Sequence, residues 1–162
     1  PLWNQSSRLS AGAAGAWAME LARTAAKADG SYDREELRLR TIVAIAVAGS
    51  LGALARYGLD GLVSRRLPSS FPWGTFAVNM SGAFVLGFLM TLMTEQLTTA
   101  PWLRSALTIG LLGAYTTFST LSYETYRLLE DGAVGLAAAN VLGSAAVGLL
   151  AVYLGVVAGR AV

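Results

Sequence analysis

The sequence predicts an all-α integral membrane protein with four transmembrane helices, the third of them broken. Of its 162 residues, 54% are hydrophobic and only 14% are charged. That composition is too apolar for a soluble domain of this length, so a bilayer is the expected solvent. Most of the charged residues lie outside four long apolar windows. The windows therefore define the fold.

The four apolar windows cover residues 41–59, 71–95, 102–129 and 133–158. A helix needs about 20 apolar residues to cross a bilayer, and each window is close to that length or longer. Trp73, Trp102 and Tyr126 lie near window ends, where amphipathic rings prefer the headgroup level. Residues 41–162 are thus predicted to form a four-helix transmembrane domain with short connections.

Residues 1–40 form an amino-terminal extension that is rich in alanine and in charges of both signs. No apolar run in the extension is long enough to span a membrane. A short helix lying on the membrane surface is one interpretation, but alanine binds interfaces weakly. The favoured interpretation is an exposed segment that is disordered or loosely helical.

Basic residues in short loops set which side of a membrane protein faces the cytoplasm. Around the four windows, each side of the predicted domain carries three arginines. They are Arg40, Arg104 and Arg160 on the amino-terminal side, and Arg65, Arg66 and Arg127 on the other. A domain without charge bias inserts in either orientation, which favours an antiparallel, dual-topology dimer made from one sequence.

The third window contains an unusual polar stretch, residues 113–120, in which one glycine and four serine or threonine residues interrupt the apolar run. This pattern is typical of a helix broken inside the membrane, where free carbonyls bind cations and hydroxyls donate to anions. An intact helix, whose hydroxyls bond back to their own carbonyls, is the alternative. The stretch is the first candidate for an ion site.

Several classes of function are excluded by composition. The chain has no cysteine and no histidine, so thiol nucleophiles, disulfides and imidazole bases are absent, and an enzyme is not expected. The net charge is only +2 and no basic patch is interleaved with aromatic residues, so nucleic acid is not an expected partner.

Polar and small residues inside the windows allow two interpretations each. Glycines let helices approach closely in lipid, and packing accounts for most of them. Asn79 and Asn140 are costly in hydrocarbon unless they bond to a neighbouring helix, to water or to a permeating ion. Arg56 lies near the end of the first window, where its long side chain can reach towards the headgroups.

Three stretches of the sequence resemble the Fluc (CrcB-type) fluoride channel family. They are GSLGALARY at residues 49–57, GTFAVNMSGAF at residues 74–84, and the segment from Gly110 that ends in TTFST at residues 116–120. The resemblance covers about residues 42–158, with all four windows in order. It implies a passive channel that exports cytoplasmic fluoride through the cell membrane, with two pathways in each antiparallel homodimer.

The resemblance also implies roles for individual residues. A central structural sodium ion would be held by the backbone carbonyls of Gly113 and Thr116. Glu124 and Arg56 would lie in the vestibule and at the pore mouth. The residues of the ion pathway would be Asn79, Phe118, Ser119, Thr120, Ser144 and Thr75.

Leu121 departs from the family pattern, which has a second phenylalanine at that position. A paralogous subunit that supplies the missing ring is therefore an alternative to the homodimer. The extension has no role in the pattern either.

Two other functions are alternatives to the fluoride channel. A small multidrug-type secondary transporter also has four short helices, but it needs an acidic residue deep in the first span, and the first window has none. A non-conducting membrane scaffold, with glycines that serve only assembly, predicts no ion flux. The polar stretch of the third window favours the channel.

Overall fold

The computed structural model describes residues 18–24 and 31–162. The chain divides into two compact units, residues 1–40 and 41–162. In the first unit, residues 18–24 are helical, and so are residues 31–40. The remainder of the predicted extension, residues 1–17 and 25–30, lies outside the described residues.

Helix α1, Ser31–Arg66, is longer than the first apolar window. Its 36 residues correspond to about 54 Å at 1.5 Å per residue. The window predicted from residue 41 marks the apolar span, and the helix itself begins earlier, at Ser31. Charged residues before the window continue the helix, with Glu36 and Arg40 forming an exposed ion pair one turn apart at 3.6 Å.

Two further long helices agree with the second and fourth windows to within a few residues. Helix α2 spans Trp73–Thr91 and continues as a π-helical segment, Leu92–Gln96. Helix α6 spans Val134–Arg160. Among the described residues, three helices are long and apolar enough to cross a membrane: Asp33–Arg66, Trp73–Gln96 and Val134–Arg160.

Helices α2 and α6 pack closely along their length. A Cβ placed on Gly155 would overlap the carbonyl oxygen of Phe84, and one placed on Gly87 would overlap that of Val152. Because lipid gives no hydrophobic drive for helix association, such close backbone contact is the main source of attraction. Val78 of α2 and Asn140 of α6 are completely buried.

The region of the third window is divided into several short elements. Helix α3, Pro101–Ser105, leads into a π-helical segment, Ala106–Leu112, and then into the single turn α4, Gly113–Tyr115. Helix α5, Phe118–Glu130, follows. Gly132, whose φ of 73° favours glycine, makes the turn from α5 to α6.

The outer faces of the long helices are apolar. Leu142 and Leu149 of α6, for example, are exposed, as are Leu51 and Leu54 of α1. Exposed leucines along helices of spanning length are what a lipid environment requires. The protein is an integral membrane protein whose described part is built from helices.

Candidate functional site

The third-window region is interrupted at two residues with extended backbone. Thr116 has φ −78° and ψ 157°, and Thr117 has φ −150° and ψ 115°. The turn α4 ends directly before them, at Tyr115, and α5 begins directly after them, at Phe118. The interruption falls inside the polar stretch 113–120. We call Thr116 and Thr117 the break.

Asn79 of α2 holds the break from the side. Its Nδ2 donates to the carbonyl oxygen of Thr117 at 3.1 Å, and its Oδ1 accepts from the amide nitrogen of Thr117 at 2.8 Å. The side-chain amide thus replaces both helical partners that the extended residue has lost. Buried backbone groups must be paired, and this exchange makes an extended residue tolerable inside an apolar bundle.

Thr117 also caps α5 with its own side chain. Its Oγ1 accepts from the amide of Thr120 at 3.2 Å, which is the usual bond of a threonine before the first turn. The same oxygen lies 2.9 Å from Oγ1 of Thr120 and 3.2 Å from Oγ of Ser119. Three hydroxyl groups therefore meet at the start of α5. We call Thr117, Ser119 and Thr120 the hydroxyl cluster.

Two backbone carbonyls lose their helical partners through these bonds. In a continuous helix, the amide of Thr117 donates to Gly113 and the amide of Thr120 donates to Thr116. Here the first amide donates to Asn79 and the second donates to the side chain of Thr117. Carbonyl oxygens released in this way are suitable ligands for a hard cation.

A groove of about 500 Å³ runs along the break, between α2, α6 and the third-window region. Most of its lining is apolar, as expected of a ligand or ion pathway with a few oriented polar groups. Leu121, at the departure from the family pattern, lines the groove too. Five of the predicted site residues line it: Asn79, Gly113, Thr116, Phe118 and Ser144.

The other predicted site residues are distributed around that groove. Ser119 is exposed and Thr120 is half-buried, and both belong to the hydroxyl cluster. Thr75 is buried, with 3% of its surface exposed, and its Oγ1 donates to Oε1 of Glu124 at 2.8 Å. Arg56 is half-buried on α1. The predicted residues therefore fall into a group at the break and a second pair on α2 and α5.

Buried polar atoms of α5 and α6 leave hydrogen-bonding capacity unused. Nδ2 of Asn140 donates to Oγ1 of Thr125 at 3.0 Å. Oδ1 of Asn140, Oγ of Ser144 and Oε2 of Glu124 have no hydrogen-bond partner within the part of the chain that the structure describes. Unpaired buried polar atoms are costly, so each is a candidate for contact with water or an ion.

Residues 43–156 match the protein-family model described as CrcB-like protein, Camphor Resistance (CrcB). The chain belongs to the CrcB family. Residues 1–42, which include the predicted extension, lie outside the match.

Curated CrcB relatives match over nearly their whole length. The chain is 49% identical over 123 residues to a protein of Geotalea uraniireducens (strain Rf4) named fluoride-specific ion channel FluC, and the match covers 76% of this chain and 99% of the relative. It is 51% identical over 120 residues to the protein of that name from Geobacter metallireducens (strain ATCC 53774 / DSM 7210 / GS-15), covering 74% and 97%. The CrcB assignment bears out the family resemblance seen in the sequence.

Sequence reasoning missed several residues at the CrcB site. Thr117 was treated only as part of a polar run, although a threonine directly before a helical segment is a recognisable capping signal. Tyr115 and Ser81, whose hydroxyl oxygens are 2.7 Å apart, carry no such signal because they are 34 positions apart in the chain. Thr125 was missed for the same reason, since its partner Asn140 lies on another helix.

Proposed function

We propose that this chain forms a passive, fluoride-selective channel that exports cytoplasmic fluoride across the plasma membrane. The observation that supports the proposal best is the break. Its two residues line the groove, and one of them, Thr117, belongs to the hydroxyl cluster. That arrangement occurs in a CrcB chain whose relatives are named fluoride-specific ion channels. A channel needs no cofactor chemistry, in keeping with a chain that lacks histidine and cysteine.

Residues 101–130 would provide a further membrane crossing, the third of four in chain order, as two half-helices joined by the break. Irregular backbone inside a bilayer is tolerated only where protein buries it or where it lines a water-filled path. The hydrogen bonds of Asn79 to the backbone of Thr117 support burial by protein. The groove that lies against the break supports a path. The resulting protein has four crossings, with both ends of the channel domain on one side.

Fluoride is small and strongly hydrated, so a selective path must replace its water with closely spaced hydrogen donors. The hydroxyls of Ser119, Thr120 and Ser144 are such donors, and Asn79 has an amide hydrogen beyond the one used at Thr117. The edge of an aromatic ring carries a partial positive charge, and Phe118 would offer it to the anion. These groups are neutral, so they bind fluoride without trapping it.

The mouth of the pathway would contain Arg56, Thr75 and Glu124. A guanidinium near the entrance raises the local anion concentration by long-range attraction. Thr75 donates to one oxygen of Glu124, which orients the carboxylate and leaves its second oxygen for exchange with water or a proton. Neither charged group lies at the break.

A structural sodium ion would bind the carbonyl oxygens of Gly113 and Thr116. The diversion of the amides of Thr117 and Thr120 to side-chain acceptors supports this site. Sodium is a hard cation, and carbonyls at unwound helix positions are its usual protein ligands in membranes. When bound, it would neutralise the carbonyl dipoles and hold the two half-helices together.

The channel would assemble as an antiparallel dimer with two pathways. Phe118 is 81% exposed on the single chain, and a second subunit would enclose it. The balanced arginine count supports pairing of two copies in opposite orientations. A paralogous subunit remains the alternative, because it would supply an aromatic ring opposite Leu121.

Fluoride release from liposomes tests the proposed function. Purified protein is reconstituted into liposomes that contain potassium fluoride. Valinomycin is added so that potassium leaves with the anion and no membrane potential opposes its release. A fluoride electrode follows the release. Liposomes loaded with potassium chloride and read with a chloride electrode are the control. Rapid fluoride release with negligible chloride release is expected. No fluoride release would refute the channel, and equal chloride release would refute its selectivity.

A further inference from the structure

Three residues on one stretch of α2 each meet one residue next to or within the break. Two of the three pairs are joined by hydrogen bonds. The third pair is closely packed, because a Cβ added to Gly82 would overlap the methyl group of Thr116. The pairs are Asn79 with Thr117, Gly82 with Thr116, and Ser81 with Tyr115.

The hydrogen bond between Ser81 and Tyr115 has a defined direction. Oγ of Ser81 lies 2.7 Å from the carbonyl oxygen of Ala77 and 3.1 Å from that of Val78. A serine hydroxyl has one hydrogen, and helical carbonyls are acceptors only. Ser81 therefore donates along its own helix and accepts from Tyr115, whose hydroxyl oxygen is 2.7 Å away. Tyr115 is the donor that ties α4 to α2.

Tyr115 lies between the two carbonyls that the proposed sodium site requires. It is the last residue of α4, two positions after Gly113 and one before Thr116. A rotation of the backbone at Tyr115 would move both carbonyl oxygens relative to each other. The bond to Ser81 opposes such a rotation, because the phenol anchors the residue to a long helix.

We propose that Ser81 and Tyr115 are positioning residues for the sodium ion, through the backbone that they fix rather than by contact with it. The inference rests on the proposed sodium site. The ring of Tyr115 also packs at Gly82, where its Cδ1 would lie 3.0 Å from an added Cβ. Phenylalanine at position 115 keeps that packing and removes only the hydrogen bond.

Sodium-dependent unfolding of the purified full-length chain tests the inference without ion flux. The unfolding temperature in detergent is followed while sodium chloride replaces N-methyl-D-glucamine chloride at constant ionic strength, since a bound ion stabilises the folded state by mass action. Tyr115→Phe and Ser81→Ala should each raise the sodium concentration for half-maximal stabilisation by about fivefold, the size of one net hydrogen bond. The double variant should show the same fivefold shift, because both changes remove one bond.

Two further variants separate positioning from general destabilisation. Tyr153→Phe removes a hydroxyl from a tyrosine of α6 that is 62% exposed, and it should leave the sodium titration unchanged. Ser81→Thr keeps the accepting hydroxyl and should restore the wild-type titration, which also covers the case in which Ser81→Ala does not fold.

Three results would overturn the inference. The first is a half-maximal sodium concentration that is unchanged in Tyr115→Phe. The second is a shift in the double variant that equals the product of the two single shifts. The third is a wild-type protein that sodium does not stabilise. Fluoride release is measured on the same wild-type preparation. Absence of release together with a normal sodium titration would refute the proposed function alone.

Discussion

The α2–α6 pair and the third-window region solve the same problem in opposite ways. Both must satisfy backbone groups and pack helices where lipid offers neither hydrogen bonds nor hydrophobic drive. The α2–α6 pair keeps its ladders intact and brings backbones together at Gly87 and Gly155. The third-window region opens its ladder at Thr116 and Thr117 and pairs the released amides with side chains.

This difference indicates that the α2–α6 pair is the structural support and that the third-window region holds the candidate site. Close packing of continuous helices depends on small residues and gives a rigid support. The break depends on the hydrogen bonds of Asn79 and Thr117, and those bonds leave carbonyls and hydroxyls available to ions. Substitutions in the first region should therefore affect folding most, and substitutions in the second should affect ion handling at a smaller cost in stability.

The largest effect is expected from Gly155→Leu, which places a side chain where the carbonyl oxygen of Phe84 lies. Overpacking of this kind costs about 3 kcal/mol or more when backbone must move. Size-exclusion chromatography and thermal unfolding in detergent should reveal loss of the folded protein. Gly143→Leu is the matched control, because an added Cβ there meets no atom within 4 Å. Equal behaviour of the two variants would contradict the packing of α2 on α6.

Asn79→Leu should be next in size, because it leaves the amide and the carbonyl of Thr117 without their partners. A buried backbone group without a partner costs about 1–3 kcal/mol, so the two groups together should lower the free energy of unfolding by about 2–6 kcal/mol. Asn140→Leu is the comparison, since Asn140 has one hydrogen bond and one unpaired oxygen. Thermal unfolding should therefore show a smaller loss for Asn140→Leu, and the reverse order would contradict the role of Asn79.

A smaller loss is expected from Thr117→Val, which removes the cap of α5 and the centre of the hydroxyl cluster. Loss of an N-cap costs about 1 kcal/mol. Thr117→Ser keeps the oxygen and should behave as the wild type. A normal unfolding temperature for Thr117→Val would show that the cap contributes nothing to the break.

The smallest effect is expected at the ion pair of Arg160 with Glu95, which joins the ends of α6 and the π-helical segment after α2. Nη2 of Arg160 lies 2.9 Å from Oε1 of Glu95, but both side chains are largely exposed. Exposed pairs contribute little and are screened by salt. Arg160→Gln should leave the unfolding temperature unchanged at about 0.5 M salt. A clear drop in the unfolding temperature would show that the ion pair stabilises the fold more than an exposed pair should.

The continuous helices could largely be predicted from the sequence. The windows at residues 71–95 and 133–158 match α2 and α6 closely because apolarity is the property that a bilayer selects. The first window marked only the apolar part of α1, since polar residues from Ser31 onwards continue the helix outside it. Hydropathy does not mark a helix end that is made of polar residues.

The site could be predicted only in part. The polar run and the family pattern pointed to the region of the break, and five of the predicted residues line one groove. The bonds that fix the break join residues 34 to 38 positions apart, and no local pattern encodes such pairs. The sequence left open whether Asn79 bonds to a neighbouring helix, to water or to an ion, and the fold shows that it pairs with the backbone of Thr117.

The most direct test of ion handling at the break compares two hydroxyl substitutions in α5. Thr120→Val removes a member of the hydroxyl cluster, and Ser122→Ala removes an exposed hydroxyl that bonds only along its own helix to Phe118. Loss of one donor to a desolvated anion should slow fluoride release from liposomes about tenfold in Thr120→Val. Release at the wild-type rate is expected for Ser122→Ala. Folded Thr120→Val protein that releases fluoride as fast as the wild type would contradict a pathway at the break.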